Sequence, residues 1–239
     1  MKKWRKNWLY QLLICLCFGG IHIFIGEDTE KTADFMTGIY GLSMDGFDYI
    51  RALLWLLPIL SACTFCGMYT DVELGKRKYF TLPRYGGKKK FLGILLKDTQ
   101  IGATGMAVLS SVSLGILGVS AAAYYGKDVF ILPSQVVFAV LLYSIHLTFL
   151  VMLQTLLQIL TGNIRASQLS IICLLIEVCF LKDLPTWMGW LSPGAWGSIN
   201  YSNILRKGGF SAWIVLLLEL MVMGSVVLYV RMEKKDDKT

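Results

Sequence analysis

Charge is scarce in this chain of 239 residues: Asp, Glu, Lys and Arg make up only 16% of it, against about 25% in a typical soluble domain. Hydrophobic residues reach 55% and the mean hydropathy is +0.59, which points to a membrane rather than to one or two soluble domains. Histidine is scarcer still. The only two, His22 and His146, lie in separate apolar runs, and no HExxH occurs, which argues against a metalloprotease site. No G-x-x-x-x-G-K-[ST] loop is present, because Gly87-Lys88 is followed by Lys89 and no glycine stands five residues before Gly87. The chain therefore lacks the usual cradle for ATP phosphates and magnesium. A G-x-S-x-G elbow is missing too. No constellation supports catalysis, and no cofactor or metal is expected on this chain.

Cysteine is present but sparse in pattern. Residues 15, 17, 63, 66, 173 and 179 all fall in apolar runs, and Cys63-Thr-Phe-Cys66 has neither a second CxxC nor a nearby histidine. These read as small packing residues rather than zinc or redox ligands. The formal charge of +7 does not indicate nucleic acid, because the basic residues flank apolar spans, where membrane topology and anionic lipid account for them. The start, "MKKWRKNWLYQLLICLCFGGIHIFIG", has the basic and apolar parts of a signal peptide. It is followed by "EDTEKTADF" with no small-x-small cleavage site, and is expected to remain as a first span.

Six apolar segments emerge: Trp8–Ile25, Ala52–Tyr69, Ile101–Tyr124, Val136–Leu160, Leu169–Leu181 and Phe210–Val230. A spanning helix needs about 20 residues, so the fifth is short. It leads into "KDLPTWMGWLSPGAWGSINYSNILRKGG", where Trp, Pro and Gly predict a re-entrant outer segment anchored at headgroup level by Trp187, Trp190 and Trp196 around Pro193. Lys and Arg crowd the N-terminal tail and the stretch between the second and third spans, whereas Glu27–Tyr49 holds six acids against one lysine. The positive-inside rule then puts both termini in the cytoplasm. The fold class is all-α: one six-span membrane domain over residues 1–239.

In the third span Ala107, Ser111 and Gly115, and likewise Gly118 and Ala122, repeat at four-residue spacing. Such small residues let helices approach closely, either between subunits or within one bundle. Ionisable and polar groups inside spans are costly. Glu177 and Glu219 lie in the fifth and sixth spans. His146, Gln154 and Gln158 share about 120° of arc on the fourth, at 100° per residue. These five either line a path for a polar or cationic substrate or hydrogen-bond across helices. Pro58 removes a backbone donor within the second span and is expected to kink it.

One stretch needs more than topology. "YTDVELGKRKYFTLPRYGGKKK" carries seven Lys and Arg behind Asp71 and Glu73. Gly75 and Pro83 suggest a short helix, a turn and a basic amphipathic entry into the next span, an element suited to docking on a soluble partner. Glu73, Gly75, Tyr79, Leu82, Arg84 and Lys97, in that order, resemble the loop between spans two and three in permease subunits of type-2 ABC exporters. Leu191-Ser192-Pro193 resembles the "LSP" often found in that family's outer segment. The resemblance covers most of the chain in topology. It implies that residues 70–97, with Asp71, Glu73, Gly75, Lys76, Tyr79, Leu82 and Arg84, form a coupling loop. That loop would fit a groove on a separate ATPase pair, which would bind the ATP and Mg. A second permease, identical or different, would complete the complex in a bacterial cell membrane. At this size the chain resembles small permeases that protect Gram-positive bacteria from lantibiotics and other bacteriocins by expelling cationic amphipathic peptides. The alternatives are a non-transporting immunity or sensor protein that binds a peptide or scaffolds a partner, and an intramembrane hydrolase using Glu177 and His146.

Overall fold

The computed structural model describes residues 4–25, 36–41, 49–77, 88–126, 133–178, 186–205 and 207–236. Among them the chain is all-helical, apart from one isolated bridge between Ser202 and Phe210. The helices are α1 (Arg5–Ile25), α2 (Thr37–Tyr40), α3 (Tyr49–Val72), α4 (Lys88–Tyr124), α5 (Pro133–Thr161), α6 (Ile164–Ile176) and α7 (Ala212–Asp236). Three stretches are long and apolar enough to cross a membrane: Ala52–Gly75, Lys90–Tyr124 and Gln135–Thr161. Two further apolar helical stretches, Ile164–Ile176 and Ala212–Leu228, are shorter.

α5 is the central post. It packs against α3, α4, α6 and α7, and the run from His146 to Met152 is buried without interruption. A helix apolar and enclosed all round belongs in the middle of a bundle. The outer helices reverse the soluble pattern: α1 exposes Leu9, Leu13 and Leu16, and α7 exposes Trp213, Leu217 and Met221. Exposed apolar surface this continuous is a contact surface for lipid or protein.

The small residues of α4 serve packing within this bundle. Ala107, Ser111 and Gly115 are buried, Ser111 bonds Ser144 of α5 at 2.8 Å, and Gly115 faces Ile39 of α2. At one end of the same helix, Gly102 and Gly105 lie beneath the Trp4 and Trp8 rings. Trp4 also packs against Tyr69 in a tilted arrangement, with ring centroids 4.7 Å apart and an interplanar angle of 52°. α3 continues through Pro58.

The helix after α5 starts five residues before the expected Leu169. Asn163 explains this, because its Oδ1 accepts from the backbone N–H groups of Arg165 at 2.8 Å and Ala166 at 3.4 Å. Such a side-chain cap fixes a helix start irrespective of where the apolar run begins. At 13 residues the helix spans about 20 Å, less than the hydrocarbon thickness of about 30 Å.

Beyond it, residues 186–205 run as short 3₁₀ turns at Thr186–Trp190, Pro193–Ala195 and Ile199–Tyr201. This irregular segment is packed into protein. Ser198 Oγ donates to Tyr40 O at 2.8 Å and Asn200 Nδ2 to Gly41 O at 3.0 Å, while Tyr201 OH donates to Val178 O at 3.3 Å. Trp187 and Trp190 stay exposed; Trp196 is partly buried and donates to Trp190 O at 3.3 Å.

A β-carbon at Gly194 would fall on the Leu174 carbonyl oxygen, whereas one at Gly189 meets nothing nearer than Phe210, at 3.7 Å. Gly194→Ala should therefore lower stability by about 1–3 kcal/mol, the cost of forced overpacking. Gly189→Ala should stay within about 0.5 kcal/mol of the parent. Denaturant titration in detergent separates the two.

Candidate functional site

The polar residues of α5 face the surrounding helices. His146 Nδ1 meets Glu219 Oε1 of α7 at 2.7 Å, with both side chains fully buried. A single hydrogen bridges them, on imidazole or on carboxyl. The other two atoms, His146 Nε2 and Glu219 Oε2, have no partner among the described residues. Gly197 of the irregular segment lies directly on the imidazole, where a β-carbon would strike Cδ2 and Cγ. The Phe149 ring stands 6.4 Å from both the His146 and Trp196 rings.

Three turns along α5, Gln158 Nε2 donates to the Gly67 carbonyl of α3 at 3.1 Å. Gln154, one turn before it, presses its amide nitrogen against Gly67, 2.5 Å from where a β-carbon would stand. Both polar atoms of Gln154, along with Gln158 Oε1, Thr70 Oγ1 and Tyr143 OH, lack partners among the described residues. Gln154 and Gln158 are each 1% exposed and Thr70 is 0% exposed. Native proteins leave few buried polar atoms unbonded, so a cluster of them marks a place where something else binds or moves.

A second polar node shows what a completed network looks like here. Gln11 of α1 donates to Pro58 O and to Ser110 Oγ, both at 2.8 Å, and accepts from Ser61 Oγ at 2.7 Å. It joins α1, α3 and α4 and leaves no Gln11 atom unbonded. The sequence reading, which singled out Gln154 and Gln158 among polar groups in spans, passed over Gln11. Its signal was a lone amide in an apolar run, with serines at compatible depth on two other spans.

Glu177 lies at the end of α6 rather than within it, as the C-cap residue. Its Oε1 accepts from Ser192 Oγ at 2.7 Å and from the Gly194 N–H at 3.4 Å. It therefore ties the irregular segment to α6. Glu177 and His146 have different partners and are not brought together as a catalytic pair.

At the opposite end, α3 widens into a π-helical turn over Glu73–Arg77. Asp71 and Gly75 are exposed, and Glu73 is 9% exposed. Glu73 lines a cleft of about 240 Å³ with Asn7, Phe65, Met68, Tyr69 and Val72. Of the expected coupling loop 70–97, residues 70–72 continue α3 and residues 88–97 already belong to α4. Lys- and Leu-rich sequence favours helix there. Tyr79, Leu82 and Arg84 lie outside the described residues, and Lys76 is described through its backbone alone. Among the described residues no group of three or more His, Cys, Asp or Glu could hold a metal ion.

Removing both members of the His146–Glu219 pair should cost the bundle less than the two single removals added together. His146→Phe and Glu219→Met are each expected to cost about 1–2 kcal/mol. The double variant should fall short of their sum by about 0.6–1.7 kcal/mol, the coupling range of side-chain hydrogen bonds between membrane helices. Unfolding in mixed micelles measures this cycle, and strict additivity would show that the two groups do not interact. The chain matches no protein family, no curated protein and no solved structure.

Proposed function

We propose that this chain is the permease subunit of an ATP-driven exporter, spanning the membrane six times with both termini in the cytoplasm. Its ATP and Mg are bound by a separate ATPase pair, and a second permease completes the pathway. The cargo is a cationic amphipathic peptide of the antimicrobial kind, removed from a bacterial cell membrane.

The observation that carries this reading is the hydrogen bond from Gln158 to the Gly67 carbonyl. Gly67 and Glu73 belong to one continuous helical segment, six residues or about 9 Å apart at 1.5 Å per residue. Movement of the turn at Glu73–Arg77 is therefore delivered to the buried polar column of α5 by a stiff rod. Within the π turn, no described residue comes within 4 Å of the Gly75 β-position. A ligand or motor subunit shifts such a bundle only if it binds two arrangements with different affinity. In this reading the ATPase grips the α3–α4 end and favours one position of α3 against α5.

Glu177 has a supporting role, holding the irregular outer segment against α6 by Ser192 and Gly194. His146 and Glu219 hold α7 on α5. Trp187 and Trp190, both exposed, sit at headgroup level in this topology.

Co-expression of the full chain with an ABC-type ATPase from the same genome should give, for the cognate pair, a complex that survives purification. Glu73→Ala should leave that complex assembled but reduce substrate-stimulated ATP hydrolysis by about tenfold, equivalent to about 1.4 kcal/mol of lost coupling. A chain that protects cells from peptide without any ATPase, and is indifferent to Glu73→Ala, would instead be a sequestering immunity protein.

A further inference from the structure

Gln154 is the least satisfied side chain in the bundle. Its amide nitrogen and oxygen both lack partners among the described residues at 1% exposure, beside a Gln158 oxygen and a Thr70 hydroxyl in the same condition. The two glutamine side chains meet at Gly67. Gln158 donates to its carbonyl, Gln154 presses on its α-carbon, and Thr70 follows it by one turn on the same helix.

A carboxamide with both atoms free offers one donor and one acceptor in a plane. That is the complement of a single peptide group, which presents a carbonyl and an N–H. Gln154 and Gln158 repeat this group on one face of α5, four residues or about 6 Å apart along the axis. In an extended peptide, the groups along one edge recur every two residues, about 6.6–6.8 Å. The two spacings nearly agree. Aliphatic or ionic recognition would need Leu, Phe or carboxylate side chains at these positions. Two amides select backbone instead, irrespective of the peptide's side chains.

We infer that Gln154 and Gln158 form an occluded binding site for the backbone amides of an extended peptide. The site opens when α3 separates from α5. In the closed arrangement Gln158 is parked on the Gly67 carbonyl, while Gln154 waits without a partner. Gly67 permits this because any side chain there would collide with the Gln154 amide. Separation of α3 frees Gln158 and admits the peptide between the two helices. The inference rests on the exporter reading for its source of opening, but the recognition chemistry can be tested without ATP.

The probe is a short peptide of alternating leucine and lysine, paired with the same peptide N-methylated at every leucine. Methylation removes the N–H groups along one edge, keeps the charge and adds one methyl group at each leucine amide, so greater apolar content alone would strengthen binding rather than weaken it. With the full-length chain in lipid nanodiscs, binding is measured for the parent and for Gln154→Met/Gln158→Met. Methylation should weaken binding to the parent by about tenfold, the order expected for one or two lost hydrogen bonds. It should leave binding to the double variant nearly unchanged. An equal methylation effect on both proteins, or no binding of either peptide to the parent, overturns the inference.

Thermal unfolding of Gln154→Met is the second measurement. Replacing an unbonded buried amide with an apolar side chain of similar length should hold or raise the unfolding temperature. A marked fall would show that Gln154 is bonded for structural reasons and would also overturn the inference. Co-purification with the ATPase tests the exporter reading separately. A complex that forms without amide-selective binding retains the exporter and discards the site, and amide-selective binding without an ATPase partner does the reverse.

Discussion

Within a bilayer a polar atom has only the protein to bond with, because hydrocarbon offers neither donor nor acceptor. That constraint sorts the buried polar groups of this chain into two kinds. Gln11 bonds to a backbone carbonyl and two serine hydroxyls, so its cost of burial is offset and three helices are fixed together. Gln154, Gln158, His146 and Glu219 are also buried, at 1% exposure or less, yet each keeps an unpartnered atom among the described residues. The first arrangement is a finished joint; the second retains unused bonding capacity. A bundle that only needed to hold together would gain more from leucine at Gln154 than from an unbonded amide.

The same constraint explains how residues 186–205 can run as irregular backbone beside apolar helices. Backbone groups of the segment pair in short 3₁₀ turns and the Gly194 N–H donates to Glu177, while the side chains of Ser198, Asn200 and Tyr201 donate to the carbonyls of Tyr40, Gly41 and Val178. α6 is too short to cross the hydrocarbon alone, and this segment lies against its end. The Gly197 backbone touches the His146 ring, so the segment reaches one end of the polar column on α5. At the column's other end, Gln158 meets α3. One central helix therefore contacts both the irregular segment and the helix that ends at Glu73.

Much of the helical architecture was legible in the apolar runs, because a membrane helix needs length and little else. The ends were harder. The start of α6 is set by one side chain, Asn163, whereas the apolar run that was read as its beginning starts only at Leu169. Residues 88–97 looked like loop because they are basic, although lysine is compatible with helix and the amphipathic run leads straight into α4. Which face of each helix points inward was least legible of all. With lipid on one side and protein on the other, both faces are apolar, so periodicity carries little signal. Small residues were the better guide: Ala107, Ser111 and Gly115 do mark the buried face of α4. The pairing of His146 with Glu219 across 73 residues of sequence followed from no spacing rule. It required two helices to be placed side by side.

The strengths of these contacts divide the bundle into parts that stay and parts that can move. A neutral interhelical hydrogen bond in a membrane contributes on average about 0.6 kcal/mol, close to thermal energy. The single bond from Gln158 to Gly67 is of that size, and Gly67 brings no side chain to interlock with α5. The Gln11 node repeats such bonds three times over, and the His146–Glu219 contact joins two fully buried ionisable groups at 2.7 Å. In the proposed opening, α3 parts from α5 at this single bond, while α7 stays on α5 through His146 and Glu219. The contacts that tie α3 to its other neighbours must accommodate the movement at two levels: the Gln11 node beside Pro58 and Ser61, and Tyr69, whose hydroxyl donates to Asp98 at 3.4 Å and whose ring meets Trp4. The site proposed at Gln154 and Gln158 therefore opens against that second restraint as well.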